Sequence, residues 1–168
     1  MKLTGLLKSL VIFAFIAMNI GCDQASKNMV RNKIDAHEKI AVIGKHLTLT
    51  KVENNGAALG FGASFHPTVK FITIIVLPSV ILLAIFVILM LKNNIDKRLI
   101  LGLAFITGGG IGNLIDRIVH GSVTDFLIID LGFFRTGIFN MADMSVTIGV
   151  LIIFIYGFRK DKEITPLA

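Results

Sequence analysis

Residues 107–143 crowd together side chains that could do chemistry. Gly108-Gly109-Gly110-Ile111-Gly112-Asn113-Leu114-Ile115-Asp116-Arg117 is followed by Val123-Thr124-Asp125-Phe126 and then by Phe139-Asn140-Met141-Ala142-Asp143. Aspartates, an arginine and two asparagines here adjoin strongly apolar sequence, where an unpaired charge is costly and is retained chiefly for function. Two acids brought together in such a place cannot both ionise cheaply. One then keeps its proton while the other acts as a base, the arrangement by which aspartic proteases activate water.

Which acids would meet is a separate question. Asp125 interrupts the apolar run Val123-Thr124-Asp125-Phe126-Leu127-Ile128-Ile129. Asp143 falls one or two turns inside an apolar helix, with Asn140 three residues before it and Thr147 four after on the same face. Asp116 is a rival for either role. Beside Arg117 and near a helix end, it reads as an interfacial capping or pairing group, and Asp130, next to Leu131-Gly132, reads as a loop acid. Residue types and spacing alone leave the pair open.

The glycines have a plainer use. On a helix, Gly108, Gly112 and Asp116 form one ridge and Gly109, Asn113 and Arg117 the next, so that neighbouring helices can approach closely. Asn113 and Arg117 add an amide and a guanidinium able to orient a carboxylate or a peptide carbonyl. Other chemistries fail on context. Gly108 to Gly112 follows no strand and precedes no Lys-Ser/Thr, which excludes a phosphate loop. His37, His46, His66 and His120 have no metal-ligand spacing, so no catalytic metal is expected from them. Cys22 has no histidine near it, Ser26, Ser64 and Ser122 lie in no nucleophile elbow, and Ser26 and Lys27 point to different sides of a helix.

These side chains must be positioned by membrane-spanning elements. At 54% hydrophobic residues and a mean hydropathy of +0.81, the 168-residue chain is too apolar for a soluble domain of its size. Its net charge of +6 flanks apolar runs and does not form a stripe, which suits membrane anchoring and not nucleic acid. Four spans are expected, at about 6–21, 69–91, 99–115 and 138–158, in one integral membrane domain covering 1–168. The first, although Gly21-Cys22 resembles the end of a lipoprotein signal, is read as an uncleaved helix because Asn19 departs from that pattern and further spans follow. Pro78 should kink the second.

An even number of spans puts both termini on one side. Lys2, Lys8, Lys92, Lys97, Arg98, Arg159, Lys160 and Lys162 are concentrated in short segments there, while the other basic residues are diluted over longer loops. The termini are therefore expected in the cytoplasm, with the long loops outside. In the first long loop, Asp23-Gln24-Ala25-Ser26-Lys27 continues the first helix and lets Asp23 pair with Lys27. Residues 40–52 read as one or two short strands, Asn54-Asn55-Gly56 as a turn, and 56–62 as a mobile segment. With residues 123–129 they would form a small sheet on the membrane surface.

Five motifs in order now carry a resemblance: Asp23-Gln24-Ala25-Ser26-Lys27, Asn54-Asn55-Gly56-Ala57-Ala58, residues 108–117, Val123-Thr124-Asp125-Phe126 and Phe139-Asn140-Met141-Ala142-Asp143. With four spans and a long first loop, the chain resembles the lipoprotein signal peptidases, or type II signal peptidases, over nearly its whole length. The resemblance implies Asp125 and Asp143 as the catalytic pair. It also implies supporting roles around the substrate for Asp23, Lys27, Asn54, Gly56, Asn113, Arg117, Asn140 and Ala142. Ser26 and Leu59 stand where members often have threonine and phenylalanine. The implied reaction removes the signal peptide of a prolipoprotein just before its diacylglyceryl-modified cysteine, without a cofactor. It takes place at the outer face of the bacterial inner membrane, in contact with membrane lipid, and is blocked by globomycin-type inhibitors. The alternative from another class is a small transporter that uses the same acids as a proton relay.

Overall fold

Apolar runs in lipid must satisfy their backbone groups internally, and they do so as helices. The computed structural model describes residues 5–57, 60–92 and 94–163, with side chains as far as 157. In it, α1 is Gly5–Lys33, α4 is Lys97–His120 and α5 is Met141–Glu163. The second run is composite: α2 (Pro67–Phe71), a π turn (Ile72–Val76) and α3 (Leu77–Leu91) follow one another end to end. Pro78 has no N–H to give, and the disturbance expected there takes the form of the wider turn before it, with Leu77 N–H bonded to Ile72 O. Gly5–Lys33, Pro67–Leu91 and Lys97–His120 are long and apolar enough to cross a membrane, and Met141–Gly157 is a shorter apolar helix.

Helix ends differ from the expected spans for local reasons. α1 continues through 23–27 as expected and runs on to Lys33, because its polar continuation buries one face, including Asp23, Lys27 and Val30. α4 runs past 115 to His120, where Gly121 in the left-handed region (φ 76°) ends it by donating its N–H to Arg117 O. α5 begins at Met141 and not at 138, since Asn140 caps it. Lys2 and Leu59 lie outside the described residues, as do the side chains of Arg159, Lys160 and Lys162.

α4 is the central helix. Three successive glycines, turned about 100° from one to the next, face three different neighbours. A Cβ at Gly108 would come within 2.7 Å of Asn19 Cβ on α1, at Gly109 within 2.4 Å of Ala142 O on α5, and at Gly110 within 2.5 Å of a Leu82 methyl on α3. Gly112 repeats the α1 contact one turn on, against Asp23. The ridge Gly108–Gly112–Asp116 therefore runs along Asn19, Asp23 and Lys27, as close-packed helices require. Outward faces are apolar and open, with Phe13, Leu83 and Leu151 more than half exposed. A surface of this kind is covered by lipid.

The sheet is antiparallel in the order β1 (Ile40–Ile43), β2 (Leu47–Asn54), β3 (Val123–Ile129). Alternation along β3 splits its residues between two environments. Phe126 packs on Val30 and Ile34, and Thr124 Oγ1 accepts from Arg31 Nε at 2.7 Å. Asp125, opposite Val52 in the register, points the other way. Beyond β3 the chain doubles back: Thr136 N–H reaches Ile129 O, and Phe139 exchanges backbone bonds with Leu127. That reversal brings residues 139–143 beside Asp125.

Candidate functional site

Asn140 is where the site is assembled. Its side-chain Oδ1 accepts the N–H of Asp143 (3.0 Å), and Asp143 Oδ2 accepts the backbone N–H of Asn140 (3.2 Å). This reciprocal pair is a capping box, which starts α5 and places Asp143 in its first turn. With Oδ1 committed to the cap, Asn140 Nδ2 is left to donate, and it does so to Asp125 Oδ1 at 2.6 Å. One amide thus joins the two acids.

Each remaining carboxylate oxygen of the pair also meets an amide. Asn54 Nδ2 donates to Asp125 Oδ2 at 3.0 Å, while Asn54 Oδ1 accepts from Gly56 N. Asn113 Nδ2 donates to Asp143 Oδ1 at 2.8 Å. Gly56 is fixed by its surroundings, because a Cβ there would lie 2.5 Å from Gly60 O, and its own carbonyl accepts from Arg117 NH2 at 3.0 Å. Arg117, Asn113, Asn54, Asp125 and Asp143 all line one cavity of about 550 Å³ whose other walls, Thr147 apart, are apolar, among them Leu82, Ile106 and Phe139. Burial pushes the Asp125 carboxyl above the ordinary range, to about 6; the amides of Asn54 and Asn140 hold it back, and the Asp143 charge adds to the rise.

Behind the cavity lies a buried ionic cluster between α1 and α4. Lys27 Nζ is 2.7 Å from Asp23 Oδ2, 2.9 Å from Asp116 Oδ2 and 2.8 Å from Asn113 Oδ1. The i,i+4 pair expected of Asp23 and Lys27 is therefore present. Asp23 Oδ1 also accepts the N–H of Ala142 at 2.9 Å, a second cap on α5 supplied by α1. Gln24 Nε2 reaches Gly112 O and Asp116 Oδ1, and Arg31 NH2 stands 3.0 Å from Asp116 Oδ1.

Of the residues singled out in the sequence, Asp125, Asp143, Asn54, Asn113 and Arg117 come together at the cavity, with Asn140 and Gly56 against them. Asp23, Lys27 and Ala142 form the layer behind. Asp116 belongs to that layer too: it is a pairing group, and it is wholly buried. Asp130 is a loop acid that accepts from Gly132 N. Gln24 and Thr124, present above only as members of motifs, and Arg31, not singled out, have ordinary polar types, and it is the packing of α1 against α4 and β3 that reveals their use. The capping box was legible in Asn140-Met141-Ala142-Asp143 as Asn-x-x-Asp ahead of an apolar run. Among the described residues no three His, Cys, Asp or Glu side chains are grouped to hold a metal ion.

Asp116→Asn keeps the shape and the Gln24 bond but takes from Arg31 its carboxylate partner and leaves Lys27 with Asp23 alone. It should destabilise by about 3 kcal/mol, the scale for breaking a buried pair. The thermal midpoint in detergent should fall accordingly, whereas turnover of the folded fraction should stay within about tenfold of wild type, because Asp116 does not line the cavity.

Comparison with known proteins extends the picture. Residues 15–159 match the family model described as Signal peptidase (SPase) II. Among curated relatives, the lipoprotein signal peptidase of Desulforapulum autotrophicum is 37% identical over 82% of this chain and 84% of its own length. That of Syntrophus aciditrophicus is 34% identical over 93% and 98%, and that of Moorella thermoacetica 41% identical over 80% and 83%. A solved structure described as a bacterial membrane enzyme superposes with a TM-score of 0.81 at 25% identity, covering 94% of this chain and 93% of that one.

Proposed function

The chain belongs to the signal peptidase II family and is thus a membrane peptidase, and we propose that it is an aspartic endopeptidase in which Asp125 and Asp143 activate water. The observation that carries this reading is that carboxyls from two elements, β3 and α5, open into one cavity and are joined by the Asn140 amide. Its substrates are prolipoproteins, cut on the amino side of the diacylglyceryl-modified cysteine. The whole chain acts as one domain of the bacterial inner membrane, with both termini in the cytoplasm and the site near the outer face. Family membership favours this reading over the transporter alternative.

Asp143 is the base. It sits in the first turn of α5, where negative charge is favoured, and both its oxygens accept N–H bonds. Asp125, the more buried acid, carries the proton. Asp143 takes a proton from water as the oxygen attacks the scissile carbonyl carbon, and Asp125 hydrogen-bonds the developing oxyanion. When the intermediate collapses, the C–N bond breaks, Asp143 returns its proton to the leaving amine, and a carboxyl and an amine remain. Arg117 Nε, buried and without a hydrogen-bond partner among the described residues, is a donor for a substrate carbonyl. The apolar cavity of about 380 Å³ beside Asp143, lined by Ile138, Met144 and Ile148, gives lipid chains a place to lie.

If Asp125 must be protonated, its value of about 6 in the free enzyme sets an alkaline limb. kcat/KM, measured from pH 4.5 to 8.5, should fall with unit slope above about 6. A kcat/KM that rises through this range would reverse the assignment of acid and base. The activity itself is tested by incubating purified protein with a diacylglyceryl-modified prolipoprotein. Mass spectrometry should find a mature product beginning at the lipidated cysteine, and globomycin should abolish it. An intact substrate, or cleavage elsewhere, would refute the proposal.

A further inference from the structure

Three asparagine amides face the two acids, and in each the donor edge is turned toward the carboxylate. An amide has two edges of nearly equal shape and opposite polarity, so something must decide between them. For Asn140 the decision comes from the N–H of Asp143, and for Asn54 from the N–H of Gly56. These are backbone donors, which no side-chain substitution removes. Asn113 differs: its Oδ1 is held by the Nζ of Lys27, a side chain from another helix.

We propose that Lys27 is a positioning residue for the reaction, which holds the Asn113 carbonyl edge away from Asp143 and so commits the Asn113 NH2 to Asp143 Oδ1. An ammonium donates three bonds and accepts none. Lys27 is fully buried, and its neighbours within ion-pair or hydrogen-bond distance are Asp23 Oδ2, Asp116 Oδ2 and Asn113 Oδ1. Among the described residues Asn113 Oδ1 is its one neutral partner. The two carboxylates account for its charge, and the third direction is spent on orienting the amide. Without Lys27 the Asn113 amide is free to turn, and a carbonyl oxygen facing Asp143 would repel the carboxylate that the reaction needs. Gly109 and Gly112 make the arrangement possible, since they let α5 and α1 come close enough for Asn113 to touch both Asp143 and Lys27.

The inference rests on Asp143 being a catalytic acid, and the test separates the two claims. Lys27→Met leaves Asp116 with Arg31 but takes from the buried Asp23 the cation it pairs with, so its loss of activity alone would be uninformative. Lys27→Met combined with Asp23→Asn removes the carboxylate that has lost its cation and keeps the pair of Asp116 with Arg31. The double variant should recover much of the thermal midpoint lost by Lys27→Met, while kcat stays about a hundredfold below wild type at near-unchanged KM, the scale of a misplaced reacting group. Recovery of kcat together with the midpoint would overturn the inference, because charge balance would then be all that Lys27 supplies. If the double variant does not fold, Asn113→Asp carries the test: it keeps an oxygen for Lys27 but offers Asp143 no donor. Its kcat should fall by a similar factor with the protein folded, and a kcat within threefold of wild type would overturn the inference. An active Asp143→Asn would instead refute the acid assignment itself, and the positioning role with it.

Discussion

Asp143→Asn and Asp125→Asn should each remove prolipoprotein cleavage, by at least about a thousandfold in kcat, while the protein remains folded and inserted in the membrane. The magnitude follows from what the proposed mechanism asks of each acid. General acid–base transfer contributes about 10² to 10⁴ in rate, and an amide can neither take the proton from water nor give one to the oxyanion. The folding side of the expectation rests on geometry. Asn in place of Asp125 retains one oxygen to accept from Asn54 or Asn140, and burial ceases to oppose a charge there. At 143 the substitution keeps an acceptor for the Asn140 N–H, so the cap on α5 weakens by only about 1 kcal/mol. A thermal midpoint near that of wild type, beside a missing product band, is the expected pair of readouts.

Gly109→Val should be nearly as damaging by a different route. Its Cβ alone would sit 2.4 Å from Ala142 O and 3.1 Å from Ser145 Cβ. A backbone carbonyl cannot swing aside as a flexible side chain can, so α4 and α5 must separate or the helix must not pack. Overpacking of this kind costs about 3 kcal/mol or more. The displacement falls at the seam where Asn113 touches Asp143, so activity should be lost even in molecules that remain folded. Gly121→Ala, at a position where a Cβ would meet nothing within 4 Å, is the control: it costs only local strain at the end of α4. Comparison of the two by thermal unfolding and by cleavage rate checks the claim. A Gly109→Val protein with wild-type midpoint and rate would show that the close approach is dispensable.

Hydropathy made the helices legible because lipid-facing positions need no polar alternation, and the short apolar run 123–129, interrupted by Asp125, pointed to β3. What hydropathy cannot register is a helix that leaves the apolar layer and goes on. α1 continues to Lys33 through Asp23, Gln24, Lys27 and Arg31, whose partners lie on α4 and β3, far away in sequence. For the same reason the pairing role of Asp116 is legible from its place near a helix end, but its complete burial under the extension of α1 is not. Asp125 and Asp143 were visible as acids within apolar sequence. That they belong to one cavity depends on the reversal after β3, where Phe139 pairs with Leu127. No composition or period encodes that pairing, and it was the motif resemblance that selected these two acids over Asp116.

The central claim is that Asp125 and Asp143 act together as acid and base, and single-turnover cleavage tests it most directly. Purified wild type, Asp125→Asn and Asp143→Asn, each with its thermal midpoint measured in the same detergent, are given one equivalent of diacylglyceryl-modified prolipoprotein. The account predicts complete conversion by wild type and no mature product from either folded variant over a period a thousandfold longer. Cleavage by either variant at a rate within tenfold of wild type would contradict it.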